Sequence, residues 1–253
     1  MSKIQNIAGG FIAAIRTLTV LPVPGREAER QADSLYFFPL VGEILGGLVL
    51  LLAWPIAVKL GWGWGAACAG TIVLTALTRM LHIDGLSDTV DACLASTDRA
   101  RRLEIMKDPH IGSFGTAAVT ADLLCKVVAM ERLISTAHWS WLLLPLILSR
   151  TIMVLLAVTL PYARIEGGKA GPFVKEGRQV HFYVAWVLAV LLCFLHAGIT
   201  GIFVVLAALA LGLLNILWMK RAFAGVTGDL LGFAGETTEC FLYFLLAMAA
   251  GCL

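Results

Sequence analysis

Apolar residues form runs of about twenty along most of this chain, and short polar segments separate the runs. A helix needs about 20 apolar residues to cross the hydrocarbon core of a bilayer, so the pattern predicts an all-α, polytopic integral membrane helical bundle. We predict seven transmembrane helices, or six if 182–218 is a single span. No internal repeat or linker is visible, so residues 1–253 are assigned to one integral membrane domain. The predicted spans are 35–58, 64–82, 111–130, 139–160, 182–197, 198–218 and 230–253.

The N-terminal stretch from Ile4 to Val20 is also apolar, but it differs from the predicted spans. It contains Arg16 and runs into Pro22 and Pro24. Proline stops a helix, and a charge within the stretch opposes full insertion. We therefore predict an N-terminal interfacial or re-entrant helix.

Composition supports the membrane assignment and excludes several classes of function. Charged residues make up 14% of the chain and the hydrophobic set 59%, whereas soluble domains carry about 25% charged residues. The chain therefore cannot cover a water-facing surface with polar groups, and its partner is the lipid bilayer. A formal net charge of +2 gives no basic field, so no nucleic acid is expected as a partner.

Basic residues in the loops predict the orientation. Lysine and arginine near the ends of spans favour the cytoplasmic side of a membrane. In the predicted topology most of them fall on one side, which we assign to the cytoplasm, and the C-terminus ends outside. This predicts a protein integral to the prokaryotic cytoplasmic (inner) membrane. The basic segments are 16–30, 83–110, 161–181 and 219–229.

A dense acidic motif, HIDGLSDTVDA, occupies residues 82–92 on the same predicted face. If it is helical, Asp84, Asp88 and Asp91 lie within an arc of about 60°. Three like charges on one stripe repel one another unless a hard cation lies among their oxygens. The spacing therefore favours a Mg²⁺ site, although a solvated acidic turn at the end of a span has the same pattern.

A second acidic stripe lies at the start of the last predicted span. Asp229, Glu236 and Glu239 fall within about 80° of one another on a helix. Carboxylates inside a membrane are costly, so they are functional candidates. The alternative is structural, in which the acids pair with Arg150 or Lys126 inside the bundle.

Between the two stripes lies RRLEIMKDPHIGSFG, residues 101–115. It begins with basic residues, contains Lys107 and Asp108, and ends in Gly112 and Gly115, where a backbone can approach a phosphate closely. Read alone, a basic loop of this kind suits contacts with lipid headgroups. Next to the acids it favours phosphoryl-group chemistry, because cations neutralise phosphate oxygens.

HIDGLSDTVDA followed by RRLEIMKDPHIGSFG resembles the cobalamin synthase family, the membrane-bound adenosylcobinamide-GDP ribazoletransferases. The similarity includes LTVLPVP, FFPLVG, PYAR and TGDLLG. It implies a Mg²⁺-dependent transfer in which the ribose 3′-hydroxyl of α-ribazole, or of its 5′-phosphate, attacks the corrinoid-side phosphorus of adenosylcobinamide-GDP. GMP leaves, and adenosylcobalamin or its 5′-phosphate is formed. Homo-oligomerisation and association with other corrinoid-pathway enzymes are left open.

The resemblance also implies roles for individual residues. Asp84, Asp88 and Asp91 would hold Mg²⁺, and one of them or Asp108 would take the proton of the alcohol. Phosphate contacts would come from Arg101, Lys107 and Arg178. The substrate-binding candidates also include His82, Arg150, Asp229, Glu236 and Glu239.

Two departures from the family pattern introduce charges into predicted spans. Glu43 replaces an apolar residue, and Arg79 stands where the family has glycine. Both would lie roughly 6 to 9 Å below the cytoplasmic face. Since each charge alone is costly in a membrane, we predict that they form an ion pair.

Two other classes of function are open to the same residues. A CDP-alcohol phosphotransferase also places spaced aspartates at the ends of membrane helices, but its D-G-x-x-A-R continuation is absent after Asp84. A transporter would use intramembrane acids near the midplane, within broken and repeated helices. Here most acids gather at one face and no repeat is visible.

Overall fold

The chain folds as a bundle of α-helices. The structure is a computed structural model that describes residues 3–164 and 166–251, and in these ranges it contains helices and no strand. Short 3₁₀ segments, Gln31–Phe37 and Trp139–Leu143, precede α2 and α7. The helices are α1 (Lys3–Leu18), α2 (Phe38–Lys59), α3 (Gly63–Leu77), α4 (Leu81–Ala95), α5 (Arg99–Ile105), α6 (Ser113–Ser135), α7 (Leu144–Thr159), α8 (Gly171–Glu176), α9 (Gln179–Phe223) and α10 (Gly228–Ala250).

The helical bundle expected from the apolar runs is confirmed, but the count of seven spans is not. Within the described ranges, five helical elements are long and apolar enough to cross a membrane, and there are six if α3 and α4 together count as one bent span. The predicted spans near 35–58, 111–130, 139–160 and 230–253 each correspond to one of the five. The elements are Gln31–Lys59, Ser113–Ser135, Trp139–Thr159, Gln179–Phe223 and Gly228–Ala250.

The prediction of one continuous span over 64–82 is wrong. The helix ends at Leu77, and α4 leaves at an angle of 87° to α3. Arg79 and Met80 form the turn with φ of 55° and 56°, in the left-handed region that non-glycine residues seldom adopt. The bend places the HIDGLSDTVDA motif on a separate helix rather than at the end of a span.

The segments 182–197 and 198–218 belong to one 45-residue element, α9, which is broken at Gly198. Gly198 has φ 54° and ψ −132°, so the helix is interrupted there. A Cβ placed on Gly201 would lie 2.1 Å from the carbonyl oxygen of Cys193. Eight residues of straight helix would separate these groups by about 12 Å, so the two limbs of α9 fold back against each other.

Helix α7 lies at the centre of the bundle and packs against α2, α9 and α10. Its residues are almost all buried, from Leu144 to Ala157. Gly42 of α2 allows the closest approach, because a Cβ there would lie 2.3 Å from the carbonyl oxygen of Leu146. This central position carries Arg150 into the interior.

The N-terminal helix is present as α1, Lys3–Leu18, which is too short to be among the span candidates. It packs against the 3₁₀ segment that precedes α2, where a Cβ on Gly10 would lie 2.9 Å from the carbonyl oxygen of Asp33. Arg16 is exposed and pairs with Glu27 at 2.9 Å. The arginine therefore lies outside the packed face of the helix.

The predicted ion pair between Glu43 and Arg79 is wrong. Glu43 pairs instead with His196 of α9, whose Nε2 lies 2.9 and 3.1 Å from the two carboxylate oxygens. Arg79 is exposed in the turn between α3 and α4. The sharp bend at that turn removes Arg79 from the span in which the prediction had placed it.

Candidate active site

The acids of α4 and the first acid of α10 lie together because the two helices pack closely. A Cβ on Gly85 would lie 2.4 Å from the carbonyl oxygen of Asp229, and one on Gly232 would lie 3.1 Å from the Cα of His82. Asp84, Asp91 and Asp229 lie close enough to Asp88 for their charges to act on it, as does the cation Arg164. We call Asp84, Asp88, Asp91 and Asp229 the acidic cluster.

Asp91 holds the loop that leads into α6. Its Oδ2 accepts a hydrogen bond from the N–H of Gly112 at 2.8 Å, and its Oδ1 accepts one from the N–H of Gly115 at 2.9 Å. Gly112 is the N-cap residue of α6 and Gly115 lies in its first turn, where a carboxylate is favourable. The glycines expected to approach a phosphate therefore approach Asp91, because a Cβ on either would lie 2.3 Å from its carboxylate.

Asp229 is bound to an arginine that the sequence prediction left out of the site. Arg164 donates through Nη2 to Asp229 Oδ2 at 2.6 Å and to the carbonyl oxygen of Met106 at 3.3 Å. This arginine belongs to the PYAR motif, one of the motifs shared with the family, and that motif could have identified it as a site residue. Asp229 was grouped with Glu236 and Glu239, but its neighbours are the aspartates of α4.

The residues predicted to contact phosphates have other partners. Arg101 is exposed and pairs with Glu104 at 2.7 Å, one turn along α5. Lys107 pairs with Glu166 at 2.6 Å, also in an exposed position. Arg178 precedes α9 and lines a surface cleft together with Arg30 and Lys175. The structure therefore gives the acidic cluster a different cation, Arg164, as its direct contact.

Asp108, a candidate base, is bonded to its neighbour His110. Its Oδ1 accepts the N–H of His110 at 3.0 Å and lies 2.6 Å from the Nδ1 of the same residue. The backbone hydrogen bond and then the ring hold the pKa of Asp108 below its ordinary value. A carboxylate stabilised in its charged form is a weak base, so the geometry favours the aspartates of α4 for that role.

Glu236 and Glu239 lie in the interior of the bundle and are bound to cations. Lys126 of α6 contacts Glu236, lies 3.2 Å from Glu239 Oε2 and 3.1 Å from Asp122 Oδ2. We call these residues, together with Arg150 and Ser149, the interior ion network. Glu236 and Glu239 thus pair with Lys126 and Arg150 inside the bundle, which is the structural alternative given for these acids in the sequence analysis.

Arg150 of α7 belongs to this network, and His82 of α4 lies next to it. Arg150 contacts Glu239 and donates through Nη1 to Ser149 Oγ at 2.8 Å. His82 Nδ1 lies 4.0 Å from Glu236 Oε1, and the His82 side chain is 1% exposed. The network therefore joins α6, α7 and α10 through buried charges, with His82 of α4 beside it, and the predicted substrate-binding residues among them are not at the surface.

The donors of the acidic cluster suit a hard cation such as Mg²⁺, since all of them are carboxylate oxygens. Within the described ranges, no three histidine, cysteine or acidic side chains converge closely enough to enclose an ion. Mg²⁺ commonly takes one or two carboxylates together with water and phosphate oxygens. Asp84 and Asp88 fit that requirement, whereas both oxygens of Asp91 are engaged by the loop.

The fold and this cluster define a polytopic helical membrane protein with an acidic site at one face of the bundle. Residues 10–247 match the family model described as cobalamin-5-phosphate synthase. Proteins named adenosylcobinamide-GDP ribazoletransferase are similar along nearly the whole chain. The protein of Chlorobaculum parvum is 40% identical over 244 residues, covering 94% of this chain and 95% of its own. That of Syntrophobacter fumaroxidans is 39% identical over 251 residues, covering 96% and 98%.

The chain belongs to the cobalamin-5-phosphate synthase family. The resemblance given by the acidic and basic motifs is thereby confirmed. No solved structure matches the chain.

Proposed function

We propose that this protein is an adenosylcobinamide-GDP ribazoletransferase of cobalamin biosynthesis. Membership of the family and the names of relatives at about 40% identity support the activity. The observation that carries it in the structure is the acidic cluster, in which Asp84, Asp88 and Asp229 lie beside Arg164. Clustered carboxylates with an adjacent arginine match the needs of a diphosphate and its metal.

In the proposed reaction the 3′-hydroxyl of α-ribazole, or of its 5′-phosphate, attacks the phosphorus that carries the corrinoid. The new O–P bond forms as the bridging P–O bond of the diphosphate breaks, and the hydroxyl proton is lost to a base. GMP leaves with the electron pair of the broken bond. The product is adenosylcobalamin or its 5′-phosphate. The site must therefore neutralise the negative charge of the leaving GMP and accept one proton from the attacking hydroxyl.

The residues divide these tasks. Asp84 would hold Mg²⁺, which supplies charge neutralisation at the phosphate oxygens when bound, and Asp88 would take the proton of the hydroxyl. The other two candidates are engaged elsewhere, Asp91 by the loop and Asp108 by His110. Asp91 keeps the loop at the start of α6 against α4. The interior ion network joins α10, which carries Asp229, to α6 and α7.

We further propose that the protein is integral to the prokaryotic cytoplasmic (inner) membrane and that the acidic cluster faces the cytoplasm. In the topology predicted from the sequence, lysine and arginine are concentrated in segments on the face that carries the acids, and the positive-inside rule favours the cytoplasm for that face. Both substrates carry phosphate or sugar groups that dissolve in water. A site at the aqueous face lets them reach α4 without crossing the bilayer.

One assay tests this proposal. Detergent-solubilised protein with Mg²⁺, adenosylcobinamide-GDP and α-ribazole should release GMP. Asp84→Asn and Asp88→Asn should abolish the release while the proteins remain folded. Glu131→Gln, near the other end of α6, is the matched control and should retain activity. Absence of GMP above a vector control would refute the proposal, and turnover of CDP-diacylglycerol would instead support a CDP-alcohol phosphotransferase.

A further inference from the structure

Arg164 is held in place by the backbone on both sides of the site. The N–H of Ala163 donates to the carbonyl oxygen of Val226 at 2.9 Å, and the N–H of Val226 donates to the carbonyl oxygen of Pro161 at 2.8 Å. A Cβ on Gly225 would lie 2.4 Å from the oxygen of Pro161, so the two segments touch. These two hydrogen bonds hold the loop after α7 against the residues that precede α10. They fix the position of the backbone next to Arg164.

The guanidinium of Arg164 is positioned by two acceptors. Nη2 donates to Asp229 Oδ2 at 2.6 Å and to the carbonyl oxygen of Met106 at 3.3 Å. The side chain of Arg164 is 18% exposed and that of Asp229 is 23% exposed, so the pair is partly buried and still open to solvent. Because one nitrogen donates to both a carboxylate and a carbonyl oxygen, the two acceptors fix the plane of the guanidinium.

The same guanidinium has donors left over. Its Nε is buried and has no hydrogen-bond partner within the described ranges. A buried donor without a partner is costly. An arginine carries five N–H groups in a planar fork that matches two oxygens of a phosphate.

We propose that Arg164 binds phosphate oxygens of the diphosphate substrate, with Asp229 as its positioning partner. This inference rests on the proposed function and assigns to Arg164 the phosphate contact that the family resemblance implied for Arg101 and Lys107. Those two cations are exposed and paired with Glu104 and Glu166. The charge of Arg164 acts on both Asp88 and Asp229. A phosphate bound there lies beside the proposed metal ligands, where the leaving GMP needs neutralisation.

The test compares Arg164→Gln and Arg164→Lys with Lys169→Gln, an exposed cation of the same loop. Arg164→Gln should raise the KM for adenosylcobinamide-GDP by about 10- to 100-fold, as for loss of charge-assisted hydrogen bonds. The KM for α-ribazole should change less than about twofold, because the lost bond serves one substrate. Arg164→Lys should lie between, since it keeps the charge but not the fork. Lys169→Gln should match the wild type.

Binding of GDP, measured by titration calorimetry without turnover, separates this inference from the proposed function. If the wild type binds GDP and Arg164→Gln binds it at least about tenfold more weakly, the phosphate contact stands whatever the reaction. Equal GDP binding by both proteins, equal increases in both KM values, or no GDP binding by the wild type would overturn it. If the glutamine variant fails to fold, Arg164→Lys decides by the same two measurements.

Discussion

Lys126 Nζ lies 3.2 Å from Glu239 Oε2, so an ammonium on α6 is bound to a carboxylate on α10 in the interior of the bundle. The same ammonium contacts Glu236 and Asp122. The side chains of Lys126 and Glu239 are 3% and 1% exposed. Three carboxylates therefore depend on Lys126 and Arg150 for compensation, which makes the network sensitive to the loss of either cation.

Lys126→Met should strongly lower the temperature of thermal unfolding in detergent. Removing one partner of a buried ion pair leaves an uncompensated charge and costs about 3–5 kcal/mol. Lys59→Met is the matched control, because Lys59 is exposed at the end of α2. The double variant with Glu236→Gln should recover part of the loss. A Lys126→Met protein as stable as the Lys59→Met protein would contradict the interior assignment.

Gly115→Ala should reduce GMP release without preventing membrane insertion. Its Cβ would lie 2.3 Å from Asp91 Oδ2 and from Ser87 Oγ, so the loop must move away from α4. Gly47→Ala is the control, since nothing lies within 4 Å of a Cβ there. That variant should be stabilised by up to about 1 kcal/mol, because alanine favours a helix interior. Equal activities of the two variants would show that the Asp91 contact is unimportant.

Asp108→Asn should change kcat for GMP release by less than about twofold, in contrast to Asp88→Asn. The hydrogen bonds from His110 keep the pKa of Asp108 low, so this carboxylate holds a proton weakly. The measurement is the steady-state rate of each variant at saturating substrate. A loss in Asp108→Asn as large as that in Asp88→Asn would assign the base to Asp108.

Glu43 should be coupled energetically to His196 and not to Arg79. Nε2 of His196 lies 2.9 Å from Glu43 Oε1, with the side chains 24% and 27% exposed. Double-mutant cycles with Glu43→Gln, His196→Ala and Arg79→Gln, followed by thermal unfolding, measure both couplings. We expect about 0.5–3 kcal/mol for the pair in contact. A coupling between Glu43 and Arg79 of the same size would contradict the bend at the end of α3.

The carboxyl of Glu166 should titrate below the ordinary glutamate value of about 4.3. The hydrogen bond from Lys107 lowers its pKa. A depressed acidic pKa means that the contact stabilises the fold at pH values above the unfolded pKa and is lost as the pH falls through the folded pKa. Carbon-detected magnetic resonance of Glu166 measures this directly. In Lys107→Gln the pKa should return to the ordinary value, and an unchanged pKa would exclude the contact.

Asp229 and Glu236 lie on the same face of α10 but bind different partners, which helical periodicity does not predict. Their spacing puts them on one stripe of α10, as the sequence pattern indicates. Their partners come from different parts of the chain: Asp229 binds Arg164 in the loop after α7, and Glu236 binds Lys126 of α6. Periodicity within one helix describes the side that faces the bundle, but it contains no information about which neighbour lies opposite.

The sequence by itself determined the membrane class, most of the long helices and the family, because apolar length and local motifs act within short stretches of chain. It also placed Asp84, Asp88 and Asp91 on one helix. Tertiary structure alone decided that Asp229 joins them, that Arg164 is their cation, and that Glu43 pairs with His196. These contacts join residues far apart in the chain, and they depend on the 87° bend before α4 and on glycine contacts between helices. Such packing follows from the shapes of several helices together, which no single segment encodes.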